Sequence, residues 1–123
     1  MYSGEYQIVR YQPEHRSRVA ELQRGMWSPY LRLNEAYLDW KHLRNPYAQE
    51  PLIYLAMAGE QVVGMRGFFG ARWFVGSPLR SVLMPCAGDL IIVREYRNRG
   101  LVAAIMEVAL RDLAERGYDY SIS

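Results

Sequence analysis

Cysteine is almost absent from this chain. Cys86 is the single cysteine among 123 residues, so no internal disulfide can form, and a reducing compartment fits this composition. Because Cys86 lies in an apolar stretch, we interpret it as a small core residue and not as a nucleophile.

Long hydrophobic runs and blocks of one charge are also absent. No apolar run approaches the roughly 18 residues of a membrane span, and the N-terminal residues do not have the basic-then-apolar pattern of a secretory signal. The formal net charge is only +2, and acidic residues are scattered among the arginines. We therefore expect a cytoplasmic protein without a nucleic-acid or membrane-binding face.

Metal-ligand spacing is missing too. His15 and His42 stand alone in the N-terminal half, so each is interpreted as a surface or packing residue and no metal site is predicted. Half of the residues are apolar, which at this length indicates a single folded domain over residues 1–123.

The N-terminal half has the pattern of one strand and two helices. Residues 5–11 alternate as a strand does, and Pro13 is placed to open a helix. That helix buries a face at three- and four-residue spacing, formed by Val19, Leu22 and Met26. After Ser28 and Pro29, we predict a second helix with Asn34 as its cap, which carries Tyr37, Leu38, Trp40 and Leu43 and ends before Pro46.

A hairpin and a third strand follow. Residues 52–57 are apolar, Gly59 and Glu60 form a two-residue turn, and Gln61 begins the return strand. The glycines of the return strand are interpreted as bends or points of close packing, at Gly64, Gly67 and Gly70. A turn at 76–78 leads into a strand that ends at Val93.

The C-terminal part combines a long helix with a last strand. The helix runs from about Leu101 to Arg116, and Gly117 closes it. Its predicted inward face consists of Leu101, Val102, Ile105, Met106, Ala109 and Leu113. On its outer side, Glu107 pairs with Arg111 and Asp112 with Arg116. Residues 118–122 are predicted to be a strand, which gives the order β-α-α-β-β-β-α-β.

The loop between the strand ending at Val93 and the long helix is the most informative segment. Its sequence is Arg97-Asn98-Arg99-Gly100-Leu101-Val102. A helix that begins after a short polar loop has unpaired amide groups and a partial positive charge, so it binds phosphate. The loop has neither the Gly-Lys-Ser/Thr end of a P-loop nor the G-x-G-x-x-G of a dinucleotide site. The alternative is a surface loop with solvated arginines.

The loop resembles the Q/R-x-x-G-x-G/A signature of the GCN5-related N-acetyltransferases (GNAT). Arg97 and Gly100 match its first two fixed positions, and Val102 stands where glycine or alanine is expected. The resemblance implies binding of acetyl-CoA, with the loop amides around its pyrophosphate. The implied cofactor-binding residues are Ile91, Ile92, Val93, Arg97, Asn98, Arg99, Gly100, Leu101, Val102 and Ala103.

The element order extends the resemblance to nearly the whole chain. It implies an α/β (α+β) fold with a GNAT-like mixed sheet in the order β-α-α-β-β-β-α-β. The family continues with another helix and two strands, so we expect a C-terminally truncated domain whose general acid would lie beyond Ser123. An unpaired edge at residues 118–122 would invite self-association, that is, a homodimer.

Asp89 is the candidate catalytic side chain. It is the only charged residue between Ser81 and Val93, and a carboxylate partly withdrawn from water would have a raised pKa and act as a base through a water. The alternative is that Asp89 bonds to nearby backbone amides at an irregularity of the strand near Pro85 and Gly88. The aromatic residues Tyr30, Tyr37, Trp40 and Tyr47 either shape an acceptor pocket or belong to the core, and we favour the core.

Three functions follow from these observations. The first is an N-acetyltransferase that acetylates a small-molecule or peptide amine, with weak or no activity in this fragment. The second is a non-catalytic module that binds CoA or a protein partner, suggested by Val102 and the missing C-terminal third. The third is a relative that ligates aminoacyl groups without CoA, against which the modest charge argues.

Overall fold

The computed structural model describes residues 6–123. Glu5, at the start of the first expected strand, lies outside the described residues. The regular elements are β1 (Gln7–Arg10), α1 (Arg16–Leu22), α2 (Leu31–Leu38), β2 (Leu52–Ala58), β3 (Gln61–Val75), β4 (Arg80–Ile92) and α3 (Leu101–Glu115). None of the helices in the described range is long and apolar enough to cross a bilayer.

The strands form one antiparallel sheet in the order β1-β2-β3-β4. The predicted hairpin is confirmed, because β2 and β3 pair on either side of Gly59 and Glu60. Gly59 has a φ of +63°, which a tight turn of this kind requires. The mixed α+β architecture predicted from the element order is therefore confirmed.

The predicted strand at 118–122 is wrong in extent. Only Ile122 pairs with the sheet, in a parallel bridge to Cys86, where Ala87 donates its N–H to the Ile122 carbonyl at 2.7 Å. Tyr118 instead donates its N–H to the Leu113 carbonyl at the end of α3. Because Tyr118 is bound to the end of α3, the residues between it and Ile122 connect the helix to the sheet and do not pair as a strand. Cys86 is buried, as expected.

Helices cover both faces of the sheet. Successive residues of β2 point to opposite sides: Leu52, Tyr54 and Ala56 pack with the apolar face of α3, whereas Ile53, Leu55 and Met57 pack with α1 and α2. Because both sides of β2 are buried, its sequence is a continuous apolar run without alternation.

The helical region between β1 and β2 differs in detail from the prediction. Val19 and Leu22 are buried as expected, but the expected long helix divides into a 3-10 turn, α1 and a second 3-10 turn over Gln23–Gly25. Asn34 is not a helix cap, because α2 already begins at Leu31. Its amide instead donates to the Ala20 and Ser28 carbonyls at 3.1 and 2.8 Å, which fastens α2 to the end of α1.

A π-helical turn extends α2 over Asp39–Leu43. Arg44 donates its N–H to the Asp39 carbonyl at 2.8 Å, the five-residue spacing that defines such a turn. Turns of this kind are rare and are found mostly at functional sites. This one carries Lys41 and His42.

Most of the predicted inward face of α3 is confirmed, but the prediction that Val102 belongs to this face is wrong. Its side chain is 41% exposed, and Ala104 is buried in its place, because a residue that follows Leu101 directly lies about 100° further around the helix. Glu107 and Arg111 form the expected exposed pair at 3.4 Å. Gly117 ends the helix with a φ of +96°.

Candidate cofactor and acceptor site

A β-bulge interrupts β4 shortly before its end. Arg66 is opposite Leu90 and Phe68 is opposite Ala87, so the single residue Gly67 faces two residues of β4, Gly88 and Asp89. The strand distortion expected near Gly88 is therefore present. Bulges bend a strand and change the direction of its groups.

The bulge decides which backbone groups of β4 face the open edge of the sheet. Before it, Pro85 and Ala87 use outward groups to bind Ile122. After it, Val93 donates its N–H inward to the Val63 carbonyl at 2.9 Å. Since outward groups alternate along an antiparallel strand, Leu90 and Ile92 face outward, whereas Ile91 and Val93 pair with β3.

Arg97 supports this assignment for Ile92. Its guanidinium Nε donates to the outward Ile92 carbonyl at 2.9 Å. Among the described residues, no strand pairs with the edge of β4 between the bulge and Ile92. The strand therefore has an open edge beside the loop that leads into α3.

The loop delivers the amide groups at the start of α3 to the same place. Asn98 and Gly100 have φ values of +62° and +78°, which turn the chain sharply into the helix. The first bond of α3 joins the Ala104 N–H to the Gly100 carbonyl at 3.0 Å. The amides of the three residues from Leu101 to Ala103 consequently have no acceptor within the helix, and the helix dipole adds a partial positive charge.

Gly100 is required for its conformation and not for space. A Cβ there would meet no atom within 4 Å, whereas its positive φ is one that other residues rarely adopt. The glycine of the predicted motif therefore has a physical role, which is to set the direction from which α3 begins.

Two clefts lie along the open end of β4. One, of about 630 Å³, lies between β4 and the start of α3. The other, of about 690 Å³, extends toward α1. The clefts share Gly25, Ile91, Ile92 and Arg97, so they are neighbouring parts of one elongated surface.

The structure brings most of the predicted cofactor-binding residues to these clefts. The linings include Ile91, Ile92, Val93, Arg97, Asn98, Gly100, Leu101 and Val102. Arg99 and Ala103 are not among them, and the Arg99 guanidinium lies over the Tyr96 ring at 4.9 Å. The larger cleft also contains Arg94 and an ion pair of Arg18 with Glu60 at 3.6 Å, with Glu21 beside them.

Asp89 lies in the bulge and is buried, with 1% of its surface exposed. Lys41 Nζ donates to one carboxylate oxygen at 2.8 Å, and Gln23 Nε2 and Trp27 Nε1 donate to the other at 2.9 and 3.2 Å. Its partners are side chains, so the expected bonding to nearby backbone amides is wrong. His42 Nε2 is 3.9 Å from the same carboxylate, which is beyond hydrogen-bond reach.

The expected raised pKa of Asp89 is also wrong. Burial by itself raises the pKa of this carboxyl, but the neighbouring His42, Lys41 and Trp27 groups outweigh burial and hold the pKa well below its usual range. The geometry attributes this effect mainly to Lys41, whose ammonium is in direct contact. Asp89 is therefore ionised at neutral pH and is a weak proton acceptor.

Lys41 is the only lysine of the chain. Its ammonium is enclosed by the rings of Trp27, Tyr37 and Phe69 at 5.5, 5.3 and 5.2 Å, which are cation–π distances. Burial lowers the pKa of Lys41, and Asp89 more than offsets this, so that the pKa is raised.

Sequence reasoning missed this group of side chains. Gln23, Trp27 and Lys41 were assigned no role, and His42, interpreted as a surface or packing residue, is buried. The one feature of the sequence that could have indicated this group is the single lysine, Lys41, next to His42 in a helical segment. Gln23 carried no signal of its own.

The aromatic residues predicted to be core are mostly exposed. Tyr30 is 68% exposed and Trp40 66%, and Tyr47 is exposed as well, so the core interpretation is wrong for these three. Tyr37 is half-buried, with its ring 5.1 Å from Trp27 and 5.8 Å from Trp40. Trp27, Tyr37 and Trp40 thus form an aromatic ladder on the surface next to the bulge.

Comparisons with known proteins agree with this geometry. The aminoglycoside N-acetyltransferase AAC(6')-Iy, solved in complex with CoA, has 16% sequence identity and a TM-score of 0.72, over 96% of this chain and 75% of that one. A probable N-acyltransferase from Enterococcus faecalis V583 has 19% identity and a TM-score of 0.76, over 94% and 28%. The ribosomal-protein-alanine N-acetyltransferase from Brucella melitensis biovar Abortus 2308 has 14% identity and a TM-score of 0.69, over 95% and 77%.

These identities establish a shared fold. No curated protein is significantly similar in sequence. The family model described as acetyltransferase (GNAT) domain matches residues 8–123, which is nearly the whole chain and includes β4, the loop and α3. The resemblance seen in the sequence is confirmed, and the chain belongs to the GNAT acetyltransferase domain family.

Proposed function

We propose that this protein transfers an acetyl group from acetyl-CoA to the nitrogen of an amine acceptor. One observation carries the proposal: the open edge of β4 after the bulge, at Leu90 and Ile92, and the start of α3, at Leu101 and Val102, line the same elongated surface. An extended ligand with phosphates at one end and amide groups along its length matches both features.

The residues present fit the phosphate end of acetyl-CoA. The start of α3 supplies the free amides together with the positive end of the helix dipole. Asn98 and Gly100 shape the loop around this place, and Arg97, fixed by its bond to the Ile92 carbonyl, adds positive charge beside it. The cofactor itself supplies the activated thioester.

The open edge of β4 fits the pantetheine arm. Leu90 and Ile92 direct their backbone groups outward, as an edge strand does toward an added strand. Ile91 and Val93 hold this part of β4 to β3 through inward bonds. We propose that a carbonyl placed along this edge is polarised by a backbone amide, because a donor fixed before the reaction needs no reorganisation.

We propose an amine acceptor that reaches the site beside the aromatic ladder of Trp27, Tyr37 and Trp40. Exposed ring faces bind cations and the apolar faces of sugar rings. The related AAC(6')-Iy was solved with a bisubstrate analogue that joins CoA to acetylneamine, which supports a small-molecule amine. A peptide amine remains the second acceptor class.

A catalytic role for Asp89, the candidate catalytic side chain of the sequence, would have to be indirect, because its side chain is buried and lines neither cleft. Asp89 lies next to the edge where the thioester would be held, but its lowered pKa argues against the expected role as a base. This observation favours the second candidate function, a non-catalytic module that binds CoA.

Isothermal titration calorimetry with CoA and acetyl-CoA tests the proposal. We expect saturable binding of both, with adenosine as a negative control because it has no phosphate for the helix start. A folded protein that binds neither CoA nor acetyl-CoA refutes the function. Acetyl transfer to a panel of aminoglycosides, polyamines and peptides separates the enzyme from the binding module, since the module binds CoA but acetylates nothing.

We also propose that the edge at residues 118–122, of which only Ile122 pairs with the sheet, permits a homodimer. An unpaired strand edge is a place where a second chain can pair. Light scattering during size-exclusion chromatography measures the molar mass, and a strictly monomeric species across the accessible concentrations would contradict the dimer.

A further inference from the structure

Lys41 is held in place from several sides, although it lies on a short irregular turn. Its ammonium contacts Asp89 at 2.8 Å and is enclosed by three aromatic rings, with only 13% of the side chain exposed. A lysine that keeps its charge under such cover is a fixed cation and not a solvated surface group.

Asp89 joins three separate segments to the bulge of β4. Gln23 comes from the turn after α1, Trp27 from the connection to α2, and Lys41 from the π-helical turn. All three donate to the same carboxylate. The helical layer is thereby fastened to β4 at the point where the strand changes register.

The bulge is also built to admit these side chains. A Cβ at Gly88 would lie 3.1 Å from Lys41 Nζ, and one at Gly67 would lie 3.1 Å from Cε1 of His42. His42 Nδ1 is 3.1 Å from the Phe68 carbonyl, which only accepts hydrogen bonds, so this nitrogen donates. The π-helical turn therefore contacts both strands beside the bulge, β3 through His42 and β4 through Lys41.

The register change has a direct consequence for the open edge. In β4 before the bulge, odd-numbered residues point their backbone groups outward, as Pro85 and Ala87 do toward Ile122. Without the extra residue, the same alternation would turn Ile91 and Val93 outward. With the extra residue present, the Val93 N–H binds the Val63 carbonyl. The backbone groups of Leu90 and Ile92 then face the cleft.

We propose that Lys41 and Asp89 form a positioning pair that fixes this bulge and thereby sets which amides face the pantetheine arm. Neither side chain needs to touch the cofactor, because both act through the backbone of β4. This inference rests on the proposed function and adds the device that aligns the acyl-bearing end of the cofactor. It replaces the base role for Asp89.

A pair of ligands separates this role from a general effect on folding. CoA carries the pantetheine arm, whereas adenosine 3′,5′-bisphosphate does not. For Lys41→Met we expect the affinity for CoA to fall by about tenfold, the worth of one good hydrogen bond. The affinity for adenosine 3′,5′-bisphosphate should stay within about twofold, because the start of α3 is untouched.

Lys41→Met leaves a buried carboxylate without its cation, which is strongly destabilising. The double variant Lys41→Met with Asp89→Asn removes both charges. It replaces the single variant in the binding measurements if the single variant does not fold. We expect the same selective loss of CoA affinity in the double variant. Arg111→Met is the matched control, since it breaks only the exposed pair with Glu107 and should leave both affinities unchanged.

Backbone amide NMR gives a second readout that needs no ligand. In the double variant we expect shifted resonances for Leu90, Ile91 and Ile92, and unchanged ones for Leu101 to Ala103. A folded double variant with wild-type CoA affinity and wild-type β4 resonances overturns the proposal. So does a loss of acetyl transfer with both measurements unchanged, which would restore Asp89 as the base. If wild-type protein binds neither ligand, the proposed function fails, and the β4 resonances still decide the role of the pair.

Discussion

The Tyr54 hydroxyl donates a hydrogen bond to the Asp112 carboxylate across 2.6 Å, joining the middle of β2 to α3. Asp112 also binds Arg10 of β1 and, at 3.0 Å, Arg116 of its own helix. The pair of Asp112 and Arg116, expected on the outer side of α3, therefore forms, but it lies inward and fastens the helix to the sheet.

Tyr54→Phe should lower the free energy of unfolding by about 2 kcal/mol at neutral pH, since a hydrogen bond to a charged group is lost in a partly buried place. Urea unfolding followed by circular dichroism measures this. Tyr120→Phe is the control, because Tyr120 is exposed, and it should change the stability by less than about 0.5 kcal/mol. Equal effects of the two substitutions would contradict the prediction.

Stability should fall in acid. Hydrogen bonds from Arg16 lower the pKa of Asp39, and neighbouring donors outweigh burial and lower the pKa values of Asp89 and Asp112. A carboxyl with a lower pKa in the folded state contributes stability that is complete above its unfolded pKa of about 3.9 and is lost as the pH falls through the folded pKa.

Thermal unfolding between neutral pH and pH 2 checks this. The melting temperature should be nearly constant down to about pH 5 and should fall steadily below that value. Asp112→Asn should begin less stable at neutral pH and lose less on acidification. A wild-type melting temperature that does not change down to pH 3 would show that these carboxylates are not stabilised in the folded state.

Gly100→Ala should weaken CoA binding by about tenfold, or about 1.4 kcal/mol. The new Cβ meets no neighbour, but the left-handed φ of +78° is strained for alanine by about 1 kcal/mol, so the loop is expected to shift. Calorimetry with CoA measures the affinity.

Gly117→Ala provides the matched control at the other end of α3. Gly117 has a similar φ of +96° and equally open surroundings, so the cost in stability should be comparable. The affinity for CoA should not change. A tenfold loss in both variants would mean that Gly100 acts through stability alone.

Val102→Ala should tighten CoA binding several-fold. Val102 lines the cleft at the start of α3 and its side chain is exposed, so replacing it with alanine is expected to leave more room for a phosphate beside the free amides. Alanine is also the better helix former, by roughly 0.5 kcal/mol. Leu110→Ala, at an exposed position further along α3, is the control and should leave the affinity unchanged. Weaker binding by Val102→Ala would instead indicate a contact between the valine and the ligand.

Gly70→Ala should be more destabilising than Gly64→Ala. A Cβ at Gly70 would lie 2.6 Å from the Tyr47 carbonyl oxygen, which belongs to the backbone, whereas one at Gly64 would lie 2.7 Å from Cδ1 of Ile92. The end of an isoleucine can move, so we expect about 3 kcal/mol for Gly70 and less than about 1 kcal/mol for Gly64. Chemical denaturation of both variants tests the order, and the reverse order would contradict the close packing of β3 on Tyr47.

Local patterns in the sequence predicted most of the elements and their order, apart from the strand at 118–122 and the division of the first helical region. The apolar run at 52–57 and the turn at Gly59 mark a buried strand and a hairpin. The spacing of Leu101, Ile105 and Ala109 reports the 3.6-residue repeat that helix geometry imposes. Gly100 was readable as a fixed position of the loop signature, whereas its left-handed φ became known only from the structure. The family was recognised from the resemblance of the loop to the GNAT signature, together with the element order.

The sequence failed where a residue's surroundings come from distant parts of the chain. The environment of Asp89 is set by Gln23 and Lys41, which are 66 and 48 positions away. The apolar neighbours of Asp89 in the sequence suggested a raised pKa. The Lys41 ammonium lowers the pKa instead, and nothing in the sequence next to Asp89 indicates its presence. The core interpretation of Tyr30 and Trp40 was wrong for a similar reason. Tyr30 precedes α2 and Trp40 lies in the π-helical turn, and sequence spacing does not tell which side of these segments meets the sheet.

The sequence by itself determined most of the elements and the position of a glycine-containing loop before α3, since these depend on backbone geometry within a few residues. Only the tertiary structure decided which groups of β4 face the cleft and what surrounds Asp89. A single extra residue in the bulge decides which backbone groups of β4 point outward and which pair with β3. The position of that residue is fixed by pairing between strands, which no local sequence pattern reports.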